Sequence, residues 1–217
     1  MNKKQYTKNE EFANAATHGV GILLGIAAGV WLLKKAFSCD FWAVSSVWAY
    51  IVCMLFSYIT STLYHARKEG KQKVTLRKFD HIAIYFHIAG TYTFFTLTVF
   101  RNTAFWGWLI FSIVWIAALV GSYVSFKGKG MGNRLETVCY VAMGLVAFVG
   151  FVPLINTLRP LGALDVFWYI LAGGVSYILG AIFYSFKKIR YVHSIFHLFV
   201  IGGSIFHVLA IARALEI

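Results

Sequence analysis

Apolar residues run through this chain in seven long blocks, covering residues 17–37, 42–65, 80–100, 103–124, 137–155, 164–186 and 192–215. Several exceed the roughly 18–20 residues that a helix needs to cross the hydrocarbon of a bilayer. Polar residues collect in the short stretches between blocks. No Pro-rich or Ser-rich linker interrupts the series, and no internal repeat is visible. The pattern predicts an all-α membrane protein, a seven-transmembrane helix bundle forming one domain over residues 1–217. Residues 1–16 are expected as a cytoplasmic N-terminal segment.

Composition agrees: 59% of the residues are hydrophobic and 13% charged, and the mean hydropathy is +0.71. A soluble domain of this size needs more charge on its surface. The net charge of +12 suggests nucleic acid at first sight, but the basic residues sit in loops between apolar blocks, and no nucleic-acid partner is expected. Fifteen Lys and Arg fall on one side of the spans: Lys3, Lys4 and Lys8, six from Arg67 to Lys78, three from Lys127 to Arg134, and three from Lys187 to Arg190. Five fall on the other side: Lys34, Lys35, Arg101, Arg159 and Arg213. The positive-inside rule then puts the N-terminus in the cytoplasm and the C-terminus outside, in a multi-pass protein of the cell membrane. Cys39, Cys53 and Cys139 form no CxxC pair, so neither a disulfide framework nor a thiolate zinc site is indicated. No cleaved signal peptide is expected.

Candidate chemistry enters with the segment His193-Ser-Ile-Phe-His197. Side chains four apart share a helix face, so both imidazoles can reach one metal ion. Ionisable groups within a span are costly and read as functional. His65 ends the second span and Asp80 opens the third, so both fall in the same leaflet as the His pair. Three imidazoles and an open position make a catalytic type of zinc site, although imidazole also binds copper, iron and nickel. Asp80 is expected as a fourth ligand or as a hydrogen-bond partner of a metal-bound water. Ser61, one turn before His65, is placed to support it. A proton relay or a polar packing network is the alternative. His207, about 15 Å deeper than His197, His87 and His81 are not expected to be ligands, though His87 could be hydrogen-bonded inside the bundle.

Two further patterns carry less chemistry. Gly21, Gly25 and Gly29 make a small-residue stripe on the first helix, used either for packing within the chain or as a homo-oligomer face. Glu11, Asn14 and His18 share a face near the N-terminus. Asn14 or Thr17 could cap a helix there, or the group could shape the cytoplasmic mouth of the site.

These motifs together resemble the haemolysin III family, the bacterial branch of the progestin and adipoQ receptor family that includes the adiponectin receptors. The match rests on Glu11-x-x-Asn14-x-x-Thr17-His18, on Ser61-x-x-x-His65 with Asp80, and on His193-x-x-x-His197. The resemblance implies seven spans, a cytoplasmic N-terminus and zinc held by His65, His193 and His197. It also implies a zinc-bound water held by Asp80, with Ser61 close by. The similar alkaline ceramidases suggest hydrolysis of a lipid amide, and bacterial members are linked to membrane lipid homeostasis. The chain lacks the long soluble N-terminal extension of the adiponectin receptors, so hormone binding does not carry over.

Three functions are therefore weighed. The first is a zinc-dependent intramembrane hydrolase of a lipid amide or ester, with membrane lipids as partners and substrate. The second is a lipid sensor or receptor with structural zinc. The third is a pore-forming cytolysin, which would need polar residues through the whole bilayer depth.

Overall fold

The computed structural model describes residues 6–127, 134–186 and 188–217. Lys3, Lys4, Lys129 and Lys187, which entered the charge count, lie outside them. Eight α-helices occur among the described residues: α1 (Lys8–Ala36), α2 (Phe41–Ala66), α3 (Lys71–Phe94), α4 (Ala104–Lys127), α5 (Arg134–Leu145), α6 (Ala147–Leu158), α7 (Leu164–Ser185) and α8 (Val192–Ala214). α3 runs on through a π turn at Phe95–Val99, and α5 with α6 forms one interrupted span. Seven helical spans are thus long and apolar enough to cross a membrane. The chain is a multi-pass integral membrane protein.

Two helices start earlier than the apolar blocks suggest. α1 begins at Lys8 rather than residue 17, and α3 at Lys71 rather than Asp80. Hydropathy locates the edge of the hydrocarbon, whereas both helices continue through polar turns beyond it. Thr7 is the N-cap of α1. Its hydroxyl accepts from the Glu10 amide at 3.3 Å, while the Glu10 carboxylate accepts from the Thr7 amide at 3.0 Å. This reciprocal box satisfies two free donors, so Asn14 and Thr17 are interior helix residues and not caps. Asp80 accordingly lies inside α3 and does not open it.

α1 packs on α2 and α8, α2 on α3, and α7 on α8, with α4 to α6 completing the bundle between α3 and α7. The glycine stripe explains the first contact. A Cβ at Gly21 would stand 3.2 Å from the Tyr58 ring, one at Gly25 2.9 Å from Leu55, and one at Gly29 3.2 Å from Ile51. That face of α1 is therefore taken up by α2, the intramolecular of the two uses open from the sequence.

A side chain bridges the break in the fifth span. The Tyr92 hydroxyl from α3 lies 2.6 Å from the Gly144 carbonyl, to which it donates, and 3.3 Å from that of Met143, while the Val146 amide closes a tighter turn on Met143 at 3.4 Å. A side chain inserted at the carbonyls of a helix is a recognised companion of such interruptions.

Candidate metal centre

The basic end of the bundle brings α1, α2, α3 and α8 together around three imidazoles. His65 stands in the last turn of α2, and His193 and His197 in the first turns of α8. One ligand nitrogen from each lies within 4.8 Å of the others. His65 and His197 are buried, with residue exposures of 3% and 1%. His65 Nε2 faces His193 Nε2 at 3.0 Å.

The opposite nitrogens of two rings are fixed by α1. His65 Nδ1 lies 2.6 Å from Glu11 Oε2, and His197 Nδ1 lies 3.1 Å from the Asn14 carbonyl and 3.0 Å from Thr17 Oγ1. An ionised carboxylate and a carbonyl only accept, so each Nδ1 carries a proton, and in the neutral ring each Nε2 presents the lone pair. The 3.0 Å contact between the two Nε2 atoms needs a proton on one of them or a cation shared by both. The three nitrogens could hold a metal ion; bonds of about 2.0–2.1 Å to a tetrahedral zinc would put two imidazole nitrogens about 3.3 Å apart, close to the His65–His193 spacing of 3.0 Å and inside the 4.8 Å span of the trio. Carboxylates and carbonyls behind ligating histidines are the usual outer partners in such centres.

The outer shell extends further. Glu11 Oε1 accepts from Lys73 Nζ at 2.6 Å, and Lys73 is 6% exposed. Asn14 Oδ1 accepts from the Ser194 hydroxyl at 2.6 Å. Glu10 Oε1 accepts from the Tyr191 amide at 3.2 Å, holding the start of α8, where Tyr191 takes a positive φ of 58°. Such a conformation in a bulky residue is strained and persists only under external support.

Aromatic rings cover the group. Tyr6 and Tyr184 lie 5.3 Å and 5.2 Å from His193, Tyr64 lies 4.5 Å from His65, and His18 stacks on His197 at 3.6 Å. The Tyr6 and Tyr184 phenols are hydrogen-bonded to each other. Burial, reinforced by Tyr184 and Tyr64, pushes the Tyr6 pKa well above its ordinary value, so that phenol stays neutral.

The other predicted residues lie around this group. Ser61 is buried one turn from His65, and its Oγ has no hydrogen-bond partner among the described residues. Asp80 is half-buried on α3, within electrostatic reach of Tyr64 and Tyr184. It is not one of the three converging ligands. His81 turns to Glu136 at 3.0 Å. His87 joins a separate polar cluster on Ser204, whose Oγ lies 2.7 Å from Tyr58 Oη, 3.0 Å from Tyr177 Oη and 3.4 Å from His87 Nε2. His207 packs beside Tyr177 at 5.4 Å. The sequence left Glu11 and Asn14 between packing and shaping the mouth of the site, and Thr17 as a cap; it did not place them behind the ligands. The spacing of Glu11 and Asn14 on one helix face was the available signal. Nothing in the sequence set Lys73 apart from the other loop cations.

A seven-span helical bundle with a three-histidine group at its basic end is the class of protein these features define. The family model described as "Haemolysin-III related" matches residues 6–208, and the chain belongs to that family. It is 39% identical over 202 residues to the "Hemolysin-3 homolog" of Bacillus subtilis (strain 168), covering 92% of this chain and 91% of that protein. It is 38% identical over 201 residues to the "Hemolysin-3" of Bacillus cereus, covering 92% and 89%. More distantly, it is 27% identical over 216 residues to the human "Monocyte to macrophage differentiation factor", covering 95% and 84%.

Proposed function

We propose that the chain is a zinc-dependent intramembrane hydrolase of a lipid amide or ester, serving membrane lipid homeostasis. The observation that carries this reading is the convergence of His65, His193 and His197, with the outer nitrogens of two rings already held by Glu11 and by the Asn14 carbonyl. Zinc held there supplies a Lewis acid that polarises a carbonyl and brings the pKa of water to about 7. His65, His193 and His197 would hold the ion, and Glu11 with Lys73 fixes the His65 ring. Asp80 would take a proton from water, and Ser61 Oγ, buried without a hydrogen-bond partner among the described residues, would orient the reacting oxygen. Tyr6, Tyr64 and Tyr184 keep bulk water off the group.

The test is lipid profiling of cells carrying wild-type protein or Asp80→Asn, with zinc content measured on both purified proteins. The wild type alone should deplete one amide or ester lipid class and raise the matching fatty acid, while the variant keeps its zinc. Indistinguishable profiles from two zinc-loaded proteins would end the hydrolase reading. The burial of His65 and His197 on different helices favours one other reading, a lipid sensor in which zinc clamps α2 to α8. In that case Asp80→Asn keeps function, and removal of a single histidine melts the bundle.

A further inference from the structure

A groove of about 510 Å³ opens on the α2–α3 hairpin, and none of the three histidines lines it. The volume lies within the range of about 300–1,000 Å³ seen for ligand sites. Its lining changes character with depth. Arg67, Lys71 and Gln72 form the rim where α2 ends and α3 begins, while Leu63, Leu76 and Phe79 line the deeper part. From Lys71 to Phe79 the axial descent is about 12 Å, so cations sit at headgroup level and apolar side chains beneath them.

The positive-inside rule explains the loop charge but not a cavity beside it. Six Lys and Arg lie between Arg67 and Lys78, against the single acid Glu69. Lys73 is committed to Glu11 and Lys78 to the Phe126 carbonyl. Among the described residues the Arg67 side chain contacts only a neutral amide, that of Gln72, and both Arg67 and Lys71 are exposed at the rim. No side chain caps α3 at Gly70, which adds positive potential at the same rim. The charge count makes this the cytoplasmic face, where anionic lipids concentrate and basic clusters at a span end attract them.

We propose that this groove holds one anionic phospholipid, its phosphate against Arg67 and Lys71 and an acyl chain along Leu63, Leu76 and Phe79. The site shares no residue with the histidine group. The test is native mass spectrometry of the full-length protein released from nanodiscs of equimolar phosphatidylcholine and phosphatidylglycerol. The wild type should retain phosphatidylglycerol in preference to phosphatidylcholine. Lys71→Gln should lower that preference about fivefold, and Arg67→Gln Lys71→Gln about 25-fold, from the usual attraction per basic residue. Lys68→Gln Lys188→Gln removes the same charge outside the groove and should change it by less than about twofold. The exposed single variant Lys71→Gln keeps the test decisive if the double variant misfolds. No preference in the wild type overturns the proposal, as does equal loss in both pairs. Displacement of the lipid by inorganic phosphate would also overturn it, marking a free-phosphate site.

Discussion

Two of the three histidines have a partner that fixes which nitrogen they offer. Imidazoles bind metal through a lone pair, and the proton on the far nitrogen decides which lone pair is offered. Glu11 makes that choice for His65, and the Asn14 carbonyl makes it for His197. The His193→Ala His197→Ala protein should therefore purify without the approximately one zinc per chain expected of the wild type, by elemental analysis. His207→Ala should keep it, because that ring lies against Tyr177 in a different part of α8. Glu11→Gln should retain the fold but bind zinc about 10- to 100-fold more weakly, the usual consequence of losing an outer-shell partner. Chelator competition measures this without reference to activity. Unchanged affinity would mean that Glu11 serves only to pair with Lys73.

At the scale of helices, what was legible in the sequence was what depends on one segment at a time. Apolar blocks reported the seven spans, and the four-residue spacing of His193 and His197 reported a shared face. The start of α1 was misplaced because Lys8 to Glu11 read as an aqueous tail, although Thr7 and Glu10 form a capping box. The contacts of Glu11 with His65 and of Lys73 with Glu11 arise only when α1, α2 and α3 approach one another, which no single segment encodes. The Tyr92 contact with the fifth span is of the same kind. Tyr92→Phe should lower stability against unfolding by about 0.5–1.5 kcal/mol, the usual net contribution of one hydrogen bond. A melting temperature equal to wild type would mean that the contact with the Gly144 carbonyl contributes nothing to stability. Asp40 offers a pH-dependent counterpart at the N-cap of α2. The Ala43 amide first, and then Arg101, hold its carboxyl below the usual range, with burial opposing. A depressed folded pKa stabilises above the unfolded value of about 3.9 and loses that effect as the pH falls through the folded one. Asp40→Ala should cost about 1 kcal/mol at neutral pH, and the gap should close in acid.

The whole molecule is polarised between its two ends. At the basic end, Glu11 and Lys73 are drawn inward to the histidines, while Lys68, Lys71 and Lys188 stand exposed. At the other end the cations are largely matched: Lys35 with Glu216 at 2.5 Å, Arg213 with Asp165 at 2.8 Å, and Arg101 with Asp40. Such exposed pairs contribute only about 0–1 kcal/mol each to stability. Orientation on insertion follows the Lys and Arg counts of the loops and not these pairs, because acidic residues weigh little in it. The histidine group and the α2–α3 groove both lie at the basic end, so orientation decides which leaflet either one meets. Cysteine labelling settles it in a background with Cys39, Cys53 and Cys139 replaced. Lys68→Cys should react with a membrane-impermeant maleimide only after the cells are opened, and Arg159→Cys should react in intact cells. The reverse pattern would place the histidines at the outer surface. A lipid substrate would then come from the outer leaflet, and the anionic lipids of the inner leaflet could not reach Arg67 and Lys71.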